Sequence, residues 1–113
     1  MIRNAANSEH YTWGADCDGW ILAPSPEMMV IEERMPSGTA ETRHFHTRAR
    51  QFFYVLAGEL VMEIEGQRHV LPAMSGIEVV PGKVHQARND SSAEVRFLVT
   101  SSPSTRGDRT NLS

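Results

Sequence analysis

Apolar and polar residues alternate along most of this chain with a period of two, the spacing at which a strand turns successive side chains to opposite faces. "MMVIEERM" (28–35) reads as a strand, and "TAETRHFHTR" (39–48) alternates more loosely. "QFFYVLAG" (51–58) is rich in aromatic and β-branched residues. "ELVMEIEG" (59–66) puts Leu60, Met62 and Ile64 on one face, Gly66 marks a turn, and "QRHVL" (67–71) returns. "GIEVVPG" (76–82), "VHQARN" (84–89) and "EVRFLVT" (94–100) complete about eight short, evenly spaced strands. Helical periodicity is hard to find. The pattern predicts an all-β sandwich or barrel.

With 113 residues the chain suits a single domain. Its expected organisation is an irregular segment over 1–20, with a short strand at 20–23, a barrel over 21–100, and a polar tail over 101–113. The tail, "SSPSTRGDRTNLS", is expected to be mobile or to lie along a partner subunit. Net charge is -3 and the pI about 5.9, which argues against a general nucleic-acid binder. Cys17 is the only cysteine, so no intrachain disulfide forms. The N-terminus has no apolar signal-peptide core, and no apolar run is of membrane-spanning length. A soluble cytoplasmic protein without nucleic-acid or membrane partners is the expectation.

Candidate chemistry gathers in "RHFHTRARQFF" (43–53). On a strand, His44 and His46 project from one face, close enough to hold one metal ion. Gln51 opens the next strand and can swing into the same space. His85 follows "PGKV", a tight turn that can bring it near the pair. Neutral imidazole suits zinc, iron, manganese, nickel and copper. The spacing alone leaves open whether these are ligands or ordinary strand histidines.

Two longer patterns sharpen the reading. Gly38, five residues, His44-Phe45-His46, four residues, Gln51, six residues and Gly58 resemble the first cupin motif. Pro81-Gly82, two residues, His85, three residues and Asn89 resemble the second. Together they span residues 38–89. The resemblance to small single-domain cupins implies a double-stranded β-helix, a jelly-roll barrel with its site inside. It implies a metal set of His44, His46, Gln51 and His85, with Asn89 shaping a turn. It also implies one divalent ion (manganese, iron, zinc or nickel) and a homodimer paired through sheet edges. Three positions depart from the family pattern. Gln51 stands where glutamate is usual, Met74 stands at the first glycine of the second motif, and Val80 replaces a proline.

Gln51 brings no charge, so an ion held by four neutral donors keeps its full +2 and favours an anionic substrate or hydroxide. Phe53, Met62 and Phe97 are candidates for the pocket wall, and equally for the core, because a small barrel's interior is both. Arg43 points away from the histidines by alternation, whereas Arg48 and Arg50 sit at a turn where either can reach an anion. Glu78 has no visible partner, and the sequence marks no general base. Two functions follow from the resemblance. One is a metal-dependent enzyme of dioxygenase, isomerase or decarboxylase type acting on a small polar or anionic molecule. The alternative is a small-molecule binding or sensor module without catalysis.

Overall fold

Inward-facing apolar residues at every second position build two antiparallel sheets that close on each other as a jelly-roll β-barrel. The structure, a computed structural model, describes residues 1–112. A short 3-10 turn (Ala5–Asn7) precedes eleven strands. They are β1 (Glu9–Trp13), β2 (Cys17–Pro24), β3 (Met29–Met35), β4 (His44–Phe45), β5 (Arg50–Ala57), β6 (Glu59–Ile64), β7 (Gln67–Pro72), β8 (Gly76–Val79), β9 (His85–Arg88), β10 (Val95–Ser102) and β11 (Thr110–Asn111). One sheet runs β1-β2-β3-β10-β5-β8, the other β11-β4-β9-β6-β7.

The long strands alternate as the pattern predicts. On β10, Val95, Phe97, Val99 and Ser101 are buried, and on β5, Gln51, Phe53 and Val55 are buried. Leu60 and Met62 from β6, Met35 from β3 and Cys17 from β2 complete the central cluster. At Gly58 the chain turns with φ +86, and a side chain there would press on the Glu94 carbonyl. Met74, which stands where the motif has glycine, takes the same left-handed region at φ 66. The turn geometry is therefore kept although the residue is not.

Three expectations are corrected. Residues 1–20 are not irregular, because β1 pairs with β2 from Glu9↔Ile21 to Trp13↔Cys17. Gly19 makes this pairing fit: it lies opposite Tyr11, and a side chain at 19 would collide with the tyrosine ring. Residues 39–48 form only the two-residue strand β4 and an isolated bridge at Ala40. The amides of Thr47, Arg48 and Ala49 are taken by the Asp108 carboxylate, which removes them from any ladder. Last, the tail folds back on its own chain. β11 pairs with β4, and the Leu112 amide donates to the Arg43 carbonyl. The polar composition of the tail gave no sign of this, because the attachment depends on partners distant in sequence, the pairing with β4 and the Asp108 carboxylate on the amides of 47–49.

Candidate functional site

His44 and His85 face each other in the register of β4 and β9, so their rings meet at a centroid distance of 4.3 Å. His46 follows directly after β4, with its ring 4.9 Å from that of His44. The turn before β9 is anchored here too, since the Gly82 amide donates to the His46 carbonyl. One nitrogen from each of the three buried histidines lies within 4.8 Å of the others. The two motifs thus converge although 39 positions separate His46 from His85.

Each ring is held by its other nitrogen. His44 Nδ1 donates to the Thr42 carbonyl at 2.7 Å, His46 Nδ1 to the Asp108 carbonyl at 2.8 Å, and His85 Nδ1 to the Lys83 carbonyl at 2.9 Å. A carbonyl only accepts, so all three Nδ1 atoms carry the proton and all three Nε2 atoms carry a lone pair. Burial keeps the rings neutral, holding His44 down to about 3 and His85 down to about 4. His46 is lowered for the same reason.

Gln51 and Ser101 are paired across β5 and β10, and Gln51 Nε2 donates to Ser101 Oγ at 3.1 Å. Gln51 Oε1 and His85 Nε2 are buried with no hydrogen-bond partner. Unpaired buried lone pairs are costly. His85 Nε2, clustered with His44 and His46, and Gln51 Oε1, from a residue that lines one cavity with those two, are donors of the kind a divalent cation needs. The carbonyl acceptors behind the imidazoles match the outer hydrogen bonds that orient metal-binding histidines.

A cavity of about 110 Å³ opens on His44, His46 and Gln51. Phe53 lines it. Met62 and Phe97 do not; both are fully buried in the core cluster, with Phe97 packed behind Phe53 at 6.1 Å. Of the arginines near the pair in sequence, Arg43 is spent on Glu63 at 2.8 Å and Arg50 on Glu78 at 2.8 Å. Glu78 therefore has a surface partner, and the cation that reaches the cavity is Arg109, from the tail. Asn89 acts as a turn organiser, its Nδ2 donating to the Met35 and Ala93 carbonyls.

Three further residues went unread in the sequence: Tyr11, Glu33 and Glu41 also line this cavity. Tyr11 donates to Glu33 Oε2 at 3.2 Å, and Glu41 Oε1 accepts from the Ala87 amide at 2.9 Å. Burial and then the neighbouring Glu41 charge push Glu33 up to about 8; burial pushes Glu41 up to about 7. A signal for Glu33 did exist. Met29, Ile31, Glu33 and Met35 share one face of β3, and an acid among apolar residues is the exception there. Tyr11 and Arg109 carried no such signal.

A family model for the cupin domain matches residues 31–101. The chain is a cupin. A Streptomyces cyaneus protein named polyketide synthase CurC is 29% identical over 69 residues, 61% of this chain. The cupin described here spans only 45% of that relative's length. Among solved structures, an RmlC-like cupin from Shewanella frigidimarina is 24% identical, with 94% of this chain and 93% of that one covered and a TM-score of 0.83. A Streptomyces nucleoside dehydratase is 17% identical, with 99% of this cupin and 90% of that chain covered and a TM-score of 0.81. At these identities the likeness is one of fold. Among the described residues, no helix of this cupin is long and apolar enough to cross a membrane.

Proposed function

We propose that this cupin binds one divalent metal ion through His44, His46, His85 and Gln51 and is an enzyme acting on a small polar or anionic molecule. The reading rests on one observation above the others: three imidazoles turned by carbonyl acceptors so that their lone pairs converge, with His85 Nε2 and Gln51 Oε1 left bare. When bound, the ion would act as a Lewis acid on a substrate oxygen. Four neutral donors leave its charge undiminished, which favours an oxyanion. The chain's own residues supply the rest. Phe53 shields one side from water, Arg109 adds positive charge at the opening, and Glu33, hydrogen-bonded by Tyr11, stands where it can accept or return a proton. A carboxyl group in the cavity supports catalysis over simple binding. The enzyme name of the nucleoside dehydratase that shares the fold points the same way.

Metal content of protein purified without chelator or affinity tag tests the reading. About one equivalent per chain is expected, lost in His44→Ala. A wild-type protein without stoichiometric metal, or a His44→Ala protein that keeps it, would contradict the proposal.

A homodimer is part of the same reading. Phe52 and Leu56 are 46% and 38% exposed on the outer face of β5, and β1 and β8 leave open sheet edges. Light scattering that gives the mass of a single chain would exclude it.

A further inference from the structure

Beside the metal-facing cavity lies a second one, a neighbouring lobe that shares four lining residues with it. About 280 Å³ in volume, it is walled by Trp13, Gly14, Ala40, Thr42 and Asn111. Tyr11, Glu33, Glu41 and Arg109 line both lobes, so these four stand at the junction between them. Their arrangement is built into the sheet. Tyr11, Gly19 and Glu33 lie in one row across β1, β2 and β3, since Tyr11 pairs with Gly19 and Gly19 with Glu33. The missing side chain at Gly19 lets the tyrosine lie across β2 and reach the carboxyl group.

What the four leave unused defines a ligand. Among the described residues, Glu33 accepts one hydrogen bond, from Tyr11. The Glu41 carboxylate accepts one, from the Ala87 amide, with His44 Nδ1 a further 4.0 Å away. Each glutamate therefore has an oxygen free for a ligand. Arg109 donates from Nε to Asn111 Oδ1 at 2.7 Å and weakly to the Thr42 carbonyl at 3.5 Å. It makes no ion pair within 4 Å among the described residues, although it lies beside two acids. Gln51, only 7% exposed, lines the first lobe, so a ligand held by the four residues would extend toward the proposed metal site.

We propose that Tyr11, Glu33, Glu41 and Arg109 form the substrate-recognising half of the site and take a polyhydroxylated carboxylate, its acid group on Arg109 and its hydroxyls on the two glutamates. Among the described residues, Arg109 is the only cation lining either lobe, and it makes no ion pair there that would compete with a carboxylate. A hydroxyl both donates and accepts, so it suits a carboxyl group in either protonation state. An apolar ligand would bury all four polar groups without partners, which such a site rejects strongly. The proposal depends on the metal-centre reading only for the substrate's remaining oxygen, which would face the histidines.

D-gluconate is the probe, with glucitol (hydroxyls without the acid) and hexanoate (the acid without hydroxyls) as controls. Calorimetry on zinc-treated protein is expected to give binding of gluconate about tenfold or more tighter than of either control. Arg109→Gln should reduce gluconate to the glucitol level while leaving glucitol unchanged. Glu33→Gln should weaken gluconate and glucitol and leave hexanoate unchanged. Equal binding of gluconate and hexanoate, no gluconate binding, or full discrimination in Arg109→Gln would overturn the proposal. Zinc content measured on the same samples keeps the two readings apart. If no zinc is retained, the metal reading fails, and discrimination by the metal-free protein still decides the subsite.

Discussion

The backbone carbonyl of Asp108 accepts the Nδ1 proton of His46 at 2.8 Å, across 62 positions of sequence. The carboxylate of the same residue accepts from the amides of Thr47, Arg48 and Ala49 at 3.0, 3.0 and 2.9 Å. One tail residue therefore fixes both a candidate ligand and the loop that follows it. Although desolvation opposes ionisation here, those amides hold the Asp108 carboxyl below its ordinary value.

Asp108→Ala is expected to act on metal binding as well as on stability. Each buried amide left without an acceptor costs about 1–3 kcal/mol. The substitution keeps the Asp108 backbone carbonyl but removes the carboxylate that anchors it to the 47–49 loop, and a less firmly held acceptor behind His46 should weaken metal affinity by up to about tenfold. Chelator competition and thermal unfolding on the same protein separate the effects. A lowered melting point with unchanged metal affinity would make Asp108 purely structural.

Gln51→Glu is expected to tighten metal binding by about tenfold or more, because a carboxylate adds charge at the ion. The measurement is competition against a chelator of known affinity. Unchanged or weaker binding would mean that Gln51 is not a ligand.

The metal-free protein should be most stable between about pH 4.5 and 6.5. His44 and His85, held down to about 3 and about 4, bind fewer protons when folded, so stability falls as pH drops below 6.5 toward those values. Glu33 and Glu41, pushed up to about 8 and about 7, bind more protons when folded. Their contribution is complete below 4.5 and is lost as pH rises through 7 and 8. The two trends oppose each other inside the window and act alone outside it. Calorimetric melting points against pH should decline on both sides, and Glu33→Gln should flatten the alkaline decline. A constant melting point from pH 6.5 to 9 in the wild type would rule this out.

Gly19→Val should dislodge Tyr11, whose ring occupies the space a side chain would need. Overpacking of this kind costs about 1–3 kcal/mol. Tyr11 fluorescence and gluconate binding should both change, whereas zinc binding at the histidines should not. For comparison, Phe97→Ala, in the centre of the core, should cost about 3–5 kcal/mol. Urea unfolding measures both.

The sequence by itself determined the strands from β3 to β10 other than β4 and most turns, and its resemblance to the cupin motifs named the candidate ligand set. Those are local facts: alternation at period two, glycines at left-handed turns, and two histidines flanking one phenylalanine. It also carried Gln51 and His85, because their motif spacing reports the turns that bring them inward. Tertiary structure alone decided the rest. Met62 and Phe97 share the inward direction of Phe53, but depth in the barrel makes them core and leaves Phe53 at the cavity wall. Tyr11, Asp108 and Arg109 come from segments that look irregular or polar. They reach the site through strand pairing and backbone hydrogen bonds far apart in sequence, for which composition and periodicity hold no signal. Glu33 lies between the two cases: alternation placed it on the inward face of β3, and only folding gave it Tyr11 as a partner.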